Sequence, residues 1–276
     1  MTKIALTIAG LDPSGGAGVI ADIKTFAAFG CFPTAAISSI TFQNTQGVYG
    51  SESQTAATVR SQVMPILDDY TVDAVKTGML PTREVIEETA AIISERALTN
   101  IVVDPVVRST SGYDLIDGSA LKALIEKLFP LADLITPNIP ESERISGVAI
   151  DSEQDIHDAA VIMRGFGARN VLIKGGHFGS AESGKRAARD FLFLGDELHV
   201  LESVYYETMA THGTGCTLSS AIAANLALGK SLIDAVGIAK KFVNEAIRTA
   251  PMIGRGNSPI NVQPILPAEG KTATDM

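Results

Sequence analysis

Short apolar runs rich in Val, Ile and Ala alternate along the chain with longer stretches whose apolar residues fall three and four apart. Residues 4–9 form the first run and predict a strand. It opens onto Gly10-Leu11-Asp12-Pro13-Ser14-Gly15-Gly16-Ala17-Gly18, and a helix is predicted over 19–29 from apolar residues at 19, 20, 23, 26 and 27. Further strands are predicted over 34–41, 73–77, 100–103, 134–136 and 171–174. Each ends on polar or glycine-rich residues: Gln43, Gly78, Asp104-Pro105, Pro137-Asn138 and Gly175-Gly176. Strands alternating with helices predict a parallel sheet, and ligands bind at the carboxyl ends of such strands. Asp12, Gln43, Gly78, Asp104, Asn138 and Lys174 are therefore expected on one rim.

The pattern changes after residue 178. Residues 179–188 are polar and charged, as in a surface loop, and the runs 190–194 and 197–201 flank Gly195-Asp196, a hairpin turn. This predicts a small antiparallel addition to the mostly parallel central sheet. A helix of small residues is predicted over 217–228. In the last helix Leu232, Val236, Ala239, Val243 and Ile247 make one apolar face. Residues 266–276 are polar, and a disordered tail is expected there. No repeat or linker interrupts the pattern, so one α/β domain is expected over 1–276.

Composition narrows the class. Of 276 residues 46% are apolar and only 5% aromatic, with no Trp. Small aliphatic side chains must then fill the core, as in layered α/β proteins. A net charge of -9 argues against a nucleic-acid partner, which needs a basic face. Cys31 and Cys216 are too few for a disulfide framework and suit a reducing compartment. The first apolar run stops at Gly10, too soon for a signal peptide, and no apolar stretch reaches the roughly 18 residues of a membrane helix. A soluble, cytoplasmic protein with no membrane partner is expected.

Candidate chemistry collects at the strand ends. His212-Gly213-Thr214-Gly215-Cys216 precedes the small-residue helix. Its backbone N–H groups and the helix dipole can converge on an anion such as a phosphoryl group, and Cys216 at the helix start is expected to have a lowered thiol pKa. A glycine turn with a buried cysteine is the alternative. The loop 10–18 fits neither the dinucleotide fingerprint nor a Walker loop; it is either a second ligand loop or a tight strand-to-helix turn. Asn138 and Glu141 offer oxygen ligands for Mg²⁺, or a helix cap and its capping-box partner. Lys174 beside Gly175-Gly176-His177 offers a cation for phosphate, or is a surface lysine before a turn. Four His and two Cys at these spacings do not suggest zinc.

Taken together and in this order, these segments resemble the hydroxymethylpyrimidine/phosphomethylpyrimidine kinases of thiamine synthesis, within the ribokinase-like superfamily. The likeness runs from about Ile4 to Val262. It is carried by residues 9–18, by Asp22-Ile23-Lys24-Thr25-Phe26, Gln43-Asn44-Thr45 and Asp104-Pro105-Val106, by Thr136-Pro137-Asn138 with Glu141, by Lys174-Gly175-Gly176-His177, and by the His212 to Cys216 turn.

The resemblance implies a three-layer α/β/α sandwich and an ATP- and Mg²⁺-dependent phosphorylation. The acceptors would be hydroxymethylpyrimidine and then its monophosphate. Cys216 would be the base, where most ribokinase relatives carry Asp. Gly213, Thr214 and Gly215 would stabilise the transferring phosphoryl, and Lys174 would offset triphosphate charge. His212, Lys174 and Thr214 would meet the nucleotide. Gln43, Gly10, Asp12, Met79 and Val106 would hold the pyrimidine, and Asp104, Asn138 and Glu141 the metal. A homodimer is expected, since the appended strands can pair between subunits.

One departure stands out. The flap reads Val107-Arg108-Ser109-Thr110-Ser111-Gly112, and no Cys lies between Asp104 and Leu115. Pyridoxal kinases resembling this family carry a flap Cys, so its absence favours the pyrimidine over pyridoxal or pyridoxine. A non-catalytic vitamin- or nucleotide-binding protein is the rival from another class, and the intact glycine turn with Cys216 and Glu141 speaks against it.

Overall fold

The computed structural model describes residues 1–107, 114–176, 178 and 187–262. The flap residues from Arg108 to Gly112, His177, most of the polar segment 179–188 and the tail from residue 263 lie outside the described residues.

The order of elements is β1 (Ile4–Leu11), α1 (Gly18–Ala28), β2 (Phe32–Asn44), β3 (Gly47–Ser53), α2 (Ala56–Asp69), β4 (Ala74–Thr77), α3 (Arg83–Glu95), β5 (Ile101–Val103) and α4 (Gly118–Ala123). A π turn and a 3-10 turn lead on to β6 (Leu134–Ile135), α5 (Ile139–Ser146), α6 (Glu153–Gly165), β7 (Asn170–Lys174), β8 (Ala187–Leu194), β9 (Glu197–Val204), α7 (Thr214–Ala227) and α8 (Leu232–Arg248). Among the described residues the nine strands form one sheet in the order β3-β2-β1-β4-β5-β6-β7-β8-β9. The six strands from β2 to β7 are parallel. β3 runs antiparallel to β2, and β8 and β9 form the antiparallel hairpin expected at the other edge.

The short β-branched strands are buried on both faces, and their alternate residues feed two cores. Leu6, Ile8, Val75, Ile101, Val103, Ile135, Val171 and Ile173 join one core with residues of α2, α3 and α6. Ala5, Ala74, Val102, Leu134, Leu172 and Leu192 join the other with α7 and α8. The result is the expected α/β/α sandwich. Alanine-rich α7 lies against α1, α8 and the central strands, and ten of its residues are buried. α8 buries Ala235, Val236, Ala239 and Val243 on the face that its periodicity predicts; each valine buried there contributes on the order of 1.5–3 kcal/mol relative to exposure.

The differences from expectation that bear on the cavity are in β2 with its partner and at the start of α7. β2 extends to Asn44 and pairs with β3, a strand of sequence Gly-Val-Tyr-Gly-Ser-Glu-Ser that no alternation announces. It exists because β2 offers it a ladder, not through its own propensity. α7 begins at Thr214 instead of 217, with Gly213 as its N-cap. Thr-Gly-Cys has little helical preference, and the turn is imposed by packing.

Candidate active site

The carboxyl ends of the parallel strands open into a cavity of about 500 Å³. Asp12, Gln43, Asp104, Asn138 and Lys174 line it, as do Lys76 and Met79 on either side of Gly78. The sheet order arranges its walls. Gly10, Asp12, Gln43 and Met79, from β1, β2 and β4, stand at one end. Tyr205, Lys240, Val243 and Ile247, after β9 and on α8, stand at the other. Asp104, Glu141, Lys174 and the start of α7 lie between.

The two glycine loops are built into each other. Gly213 has φ 82°, the left-handed region, and a side chain there would run into the carbonyl of Gly16. A side chain on Gly16 would in turn strike the His212 ring. His212 is buried, with Nε2 2.7 Å from Asp12 Oδ2 and 3.2 Å from the Gln43 amide. Asp12 also accepts from Ser14 N (2.8 Å), Ser14 Oγ (2.7 Å) and Ala17 N (2.9 Å). Both Asp12 oxygens are therefore engaged within the protein: the residue organises the loop and orients His212. His212, expected at the nucleotide, sits with Asp12 and Gln43, which were expected at the pyrimidine.

Lys174 brings an ammonium to the first turn of α7. Lys174 Nζ donates to Asp104 Oδ1 at 3.0 Å and lies 3.9 Å from Glu141 Oε2. A side chain on Gly215 would come within 3.1 Å of the same Nζ, so the ammonium borders the first turn of α7. The Thr214 N–H donates to Thr211 O at 3.3 Å. The amides of Gly215 and Cys216, in the first turn, have no intrahelical acceptor by the geometry of any helix start. Lys174 is only slightly exposed and is no surface lysine. Its pKa is raised: burial alone would lower it, and Asp104 and Glu141 outweigh that.

Asn138 and Glu141 form the capping box. Asn138 Oδ1 accepts from Glu141 N, and Glu141 Oε2 accepts from Asn138 N, both at 2.8 Å. Both residues also line the cavity, so capping and ligand binding coexist. Burial pushes the Glu141 carboxyl up to about 7; Lys174 opposes this and Asp104 reinforces it. Among the described residues no cluster of three His, Cys, Asp or Glu side chains is close enough to hold a metal by itself. The donor set nonetheless suits Mg²⁺. Asp104 and Glu141 present hard oxygens to the cavity beside Lys174, and Mg²⁺ characteristically takes one or two carboxylates and keeps its waters.

Cys216 corrects one expectation. It lies in the first turn of α7 and faces the cavity, yet its thiol pKa is raised to about 11 instead of lowered. Burial is the chief cause. The Lys76 ammonium opposes it, and Asp104 and Asp22 add to it. The helix start that was expected to favour the thiolate does not overcome desolvation.

Sequence reasoning passed over Lys76 and the strap that borders the cavity at Asn257, and gave Asp22 no role beyond its place in a family segment. Lys76 is a fully buried lysine in the strand Ala-Val-Lys-Thr, bonded to Asp22 Oδ2 at 2.9 Å. A charge inside an apolar strand was the available signal. The strap, residues 250–258, hangs on Thr45: its Oγ1 accepts from Arg255 N (3.2 Å) and Gly256 N (3.3 Å), and its carbonyl from Asn257 N (2.8 Å). Nothing in the local sequence marks that link.

Similarity to known proteins agrees with this geometry. The chain is 41% identical over 269 residues to a hydroxymethylpyrimidine/phosphomethylpyrimidine kinase of Staphylococcus aureus, covering 97% of this chain and 96% of the relative. It superposes on a Bacillus subtilis pyridoxal kinase in complex with ADP with a TM-score of 0.86, at 37% identity, covering 95% and 97% of the two chains. It superposes on a phosphomethylpyrimidine kinase of Clostridium difficile with a TM-score of 0.77, at 39% identity, covering 89% and 100%. These neighbours share the ribokinase-like fold. The sequence model of the phosphomethylpyrimidine kinases spans residues 12–261, and the chain belongs to that family.

Proposed function

We propose that the protein transfers a phosphoryl group from ATP to the hydroxymethyl group of 4-amino-5-hydroxymethyl-2-methylpyrimidine, and then to the monophosphate so formed, in thiamine biosynthesis. The observation that carries this reading is the order of groups along the cavity. A polar, hydrogen-bonding end at Gln43 and Met79 suits a small heteroaromatic acceptor. A wider end with Tyr205, Val243 and Ile247 suits a nucleotide base. Lys174, the carboxylates and the first turn of α7 stand where a phosphoryl group would pass between them.

Phosphoryl transfer asks the protein mainly for alignment and charge. Gln43 presents an amide, donor and acceptor together, to the aminopyrimidine edge. Gly10 and Val106 form its apolar surroundings. The amides of Gly215 and Cys216 face the charge that develops on phosphorus, while the Thr214 N–H expected there is held by Thr211 O, and Lys174 offsets the triphosphate. Mg²⁺, when bound at Asp104 and Glu141, would neutralise phosphate charge. The acceptor's O–H bond breaks as its oxygen bonds to phosphorus. Cys216 Sγ takes the proton, and ADP leaves with the electrons of the broken P–O bond. A thiol pKa near 11 makes the thiolate a stronger base but leaves only roughly one part in 10⁴ ionised at pH 7. Cys216→Ala is expected to lower turnover about 10²–10⁴-fold with folding intact. Near-normal ADP release with the pyrimidine would overturn the assignment.

Pyridoxal is the second acceptor to weigh, because a pyridoxal kinase is among the most similar structures. The lack of a flap cysteine favours the pyrimidine. We also propose a cytoplasmic homodimer. β9 is an edge strand with Leu198, Val200 and Val204 exposed, a surface fit to pair with a second copy. Sedimentation at twice the 28.9 kDa chain mass is the expected result, and a monomer at micromolar concentration would contradict it.

A further inference from the structure

Beneath Cys216 lies a charged group that the transfer itself does not use. Lys76 and Asp22 are both fully buried. Lys76 Nζ donates to Asp22 Oδ2 at 2.9 Å, Thr7 Oγ1 donates to the same oxygen at 2.6 Å, and Ser220 Oγ donates to Asp22 Oδ1 at 2.6 Å. A buried ion pair seldom stabilises a fold more than apolar residues of the same volume would, so its presence in a strand of Ala, Val and Thr asks for another role.

Its position suggests one. Ser220 follows Cys216 by one helical turn on the same face of α7, so Asp22 and Lys76 are tethered under the cysteine. Lys76 lines the same cavity as Cys216. Gly78 leaves the ammonium room, since a side chain there would come within 2.8 Å of Nζ. Gly18, first in α1, and Cys216, in the first turn of α7, line the same cavity, so both helix starts border it. The charged groups that act on it are Lys76 from β4, Asp22 from α1, Asp104 after β5 and Lys174 from β7.

We propose that Lys76 is a positioning residue for phosphoryl transfer: its ammonium, fixed by Asp22 and through it by Thr7 and Ser220, stabilises the negative charge on Cys216 whenever the sulfur is unprotonated. Its catalytic meaning rests on the reading of Cys216 as base; the electrostatic effect does not. Desolvation makes the thiolate basic but scarce, and Lys76 restores part of its population.

The test reads the thiol directly. Iodoacetamide modification of Cys216 is followed at pH 9 in the nucleotide-free protein, by the mass of its peptide, with the variants Lys76→Met and Asp22→Asn. Well below the thiol pKa the rate follows the thiolate fraction times a nucleophilicity that rises with pKa, so a roughly hundredfold weaker acid reacts about tenfold more slowly. Lys76→Met is expected to slow modification about tenfold. Asp22→Asn, which keeps a hydrogen-bonding group of the same shape but removes the opposing charge, is expected to speed it at least threefold. A purely structural pair would move both rates in one direction or neither, and either result overturns the proposal. If Lys76→Met does not fold, the Lys76→Met/Asp22→Asn double variant removes the stranded charge. It must then react about tenfold more slowly than Asp22→Asn, and equal rates overturn the proposal. Normal turnover by Cys216→Ala would remove the base role while leaving these ratios as they stand, so the two failures are distinct.

Discussion

Asp12 accepts four hydrogen bonds, three from its own loop and one from His212, with almost no exposure to solvent. Burial pushes its carboxyl up, but His212 and Ser14 outweigh it and hold the group below its ordinary value. A carboxyl that is more acidic in the folded state adds stability above its unfolded pKa, and that stability is lost as pH falls through the folded one. Asp12→Asn is therefore expected to unfold at lower urea, with a deficit of about 1–3 kcal/mol near neutral pH that shrinks as pH falls through and below the ordinary carboxylate range. A deficit constant across that range would contradict an ionic role. The sequence marked Asp12, Gln43, Lys174 and Cys216 as chemistry-bearing because polar residues follow apolar strands. It could not tell a group that faces a ligand from one that holds another group. Asp12 looks like a ligand residue in the sequence and is an organiser in the fold. Cys216 looks activated by its helix start, and burial reverses the sign.

At the scale of elements, strand-to-loop transitions were legible wherever a β-branched run met glycine or a polar residue, and the 195–196 hairpin turn with them. β3 was not, because its ladder comes from β2 and not from its own side chains. The interlock of the loops at 10–18 and 212–216 was not legible either, since the two are about 200 residues apart and their fit depends on backbone contacts. Gly213 is where that fit is tightest: a left-handed φ and the Gly16 carbonyl both exclude a side chain. Gly213→Ala is expected to destabilise by at least about 1–3 kcal/mol, read by urea unfolding, and to lower turnover because Cys216 and the first-turn amides move with the cap. A variant as stable and active as the parent would show that the two loops are not coupled.

Across the whole molecule, the parallel sheet places every predicted rim residue on one side, with Gln43 toward β2 and Tyr205 toward β9. Two helical layers bury the sheet and leave its carboxyl edge as the site of chemistry. Among the described residues no helix is long and apolar enough to cross a membrane. The account comes down to which acceptor the Gln43 end selects. The direct measurement offers the purified protein ATP and Mg²⁺ with hydroxymethylpyrimidine, its monophosphate, pyridoxal and pyridoxine in separate reactions, and identifies each product by mass. The account predicts the monophosphate and then the diphosphate of the pyrimidine, each with stoichiometric ADP, at rates well above those on pyridoxal or pyridoxine. Phosphorylation of pyridoxal with the pyrimidine left untouched would contradict it.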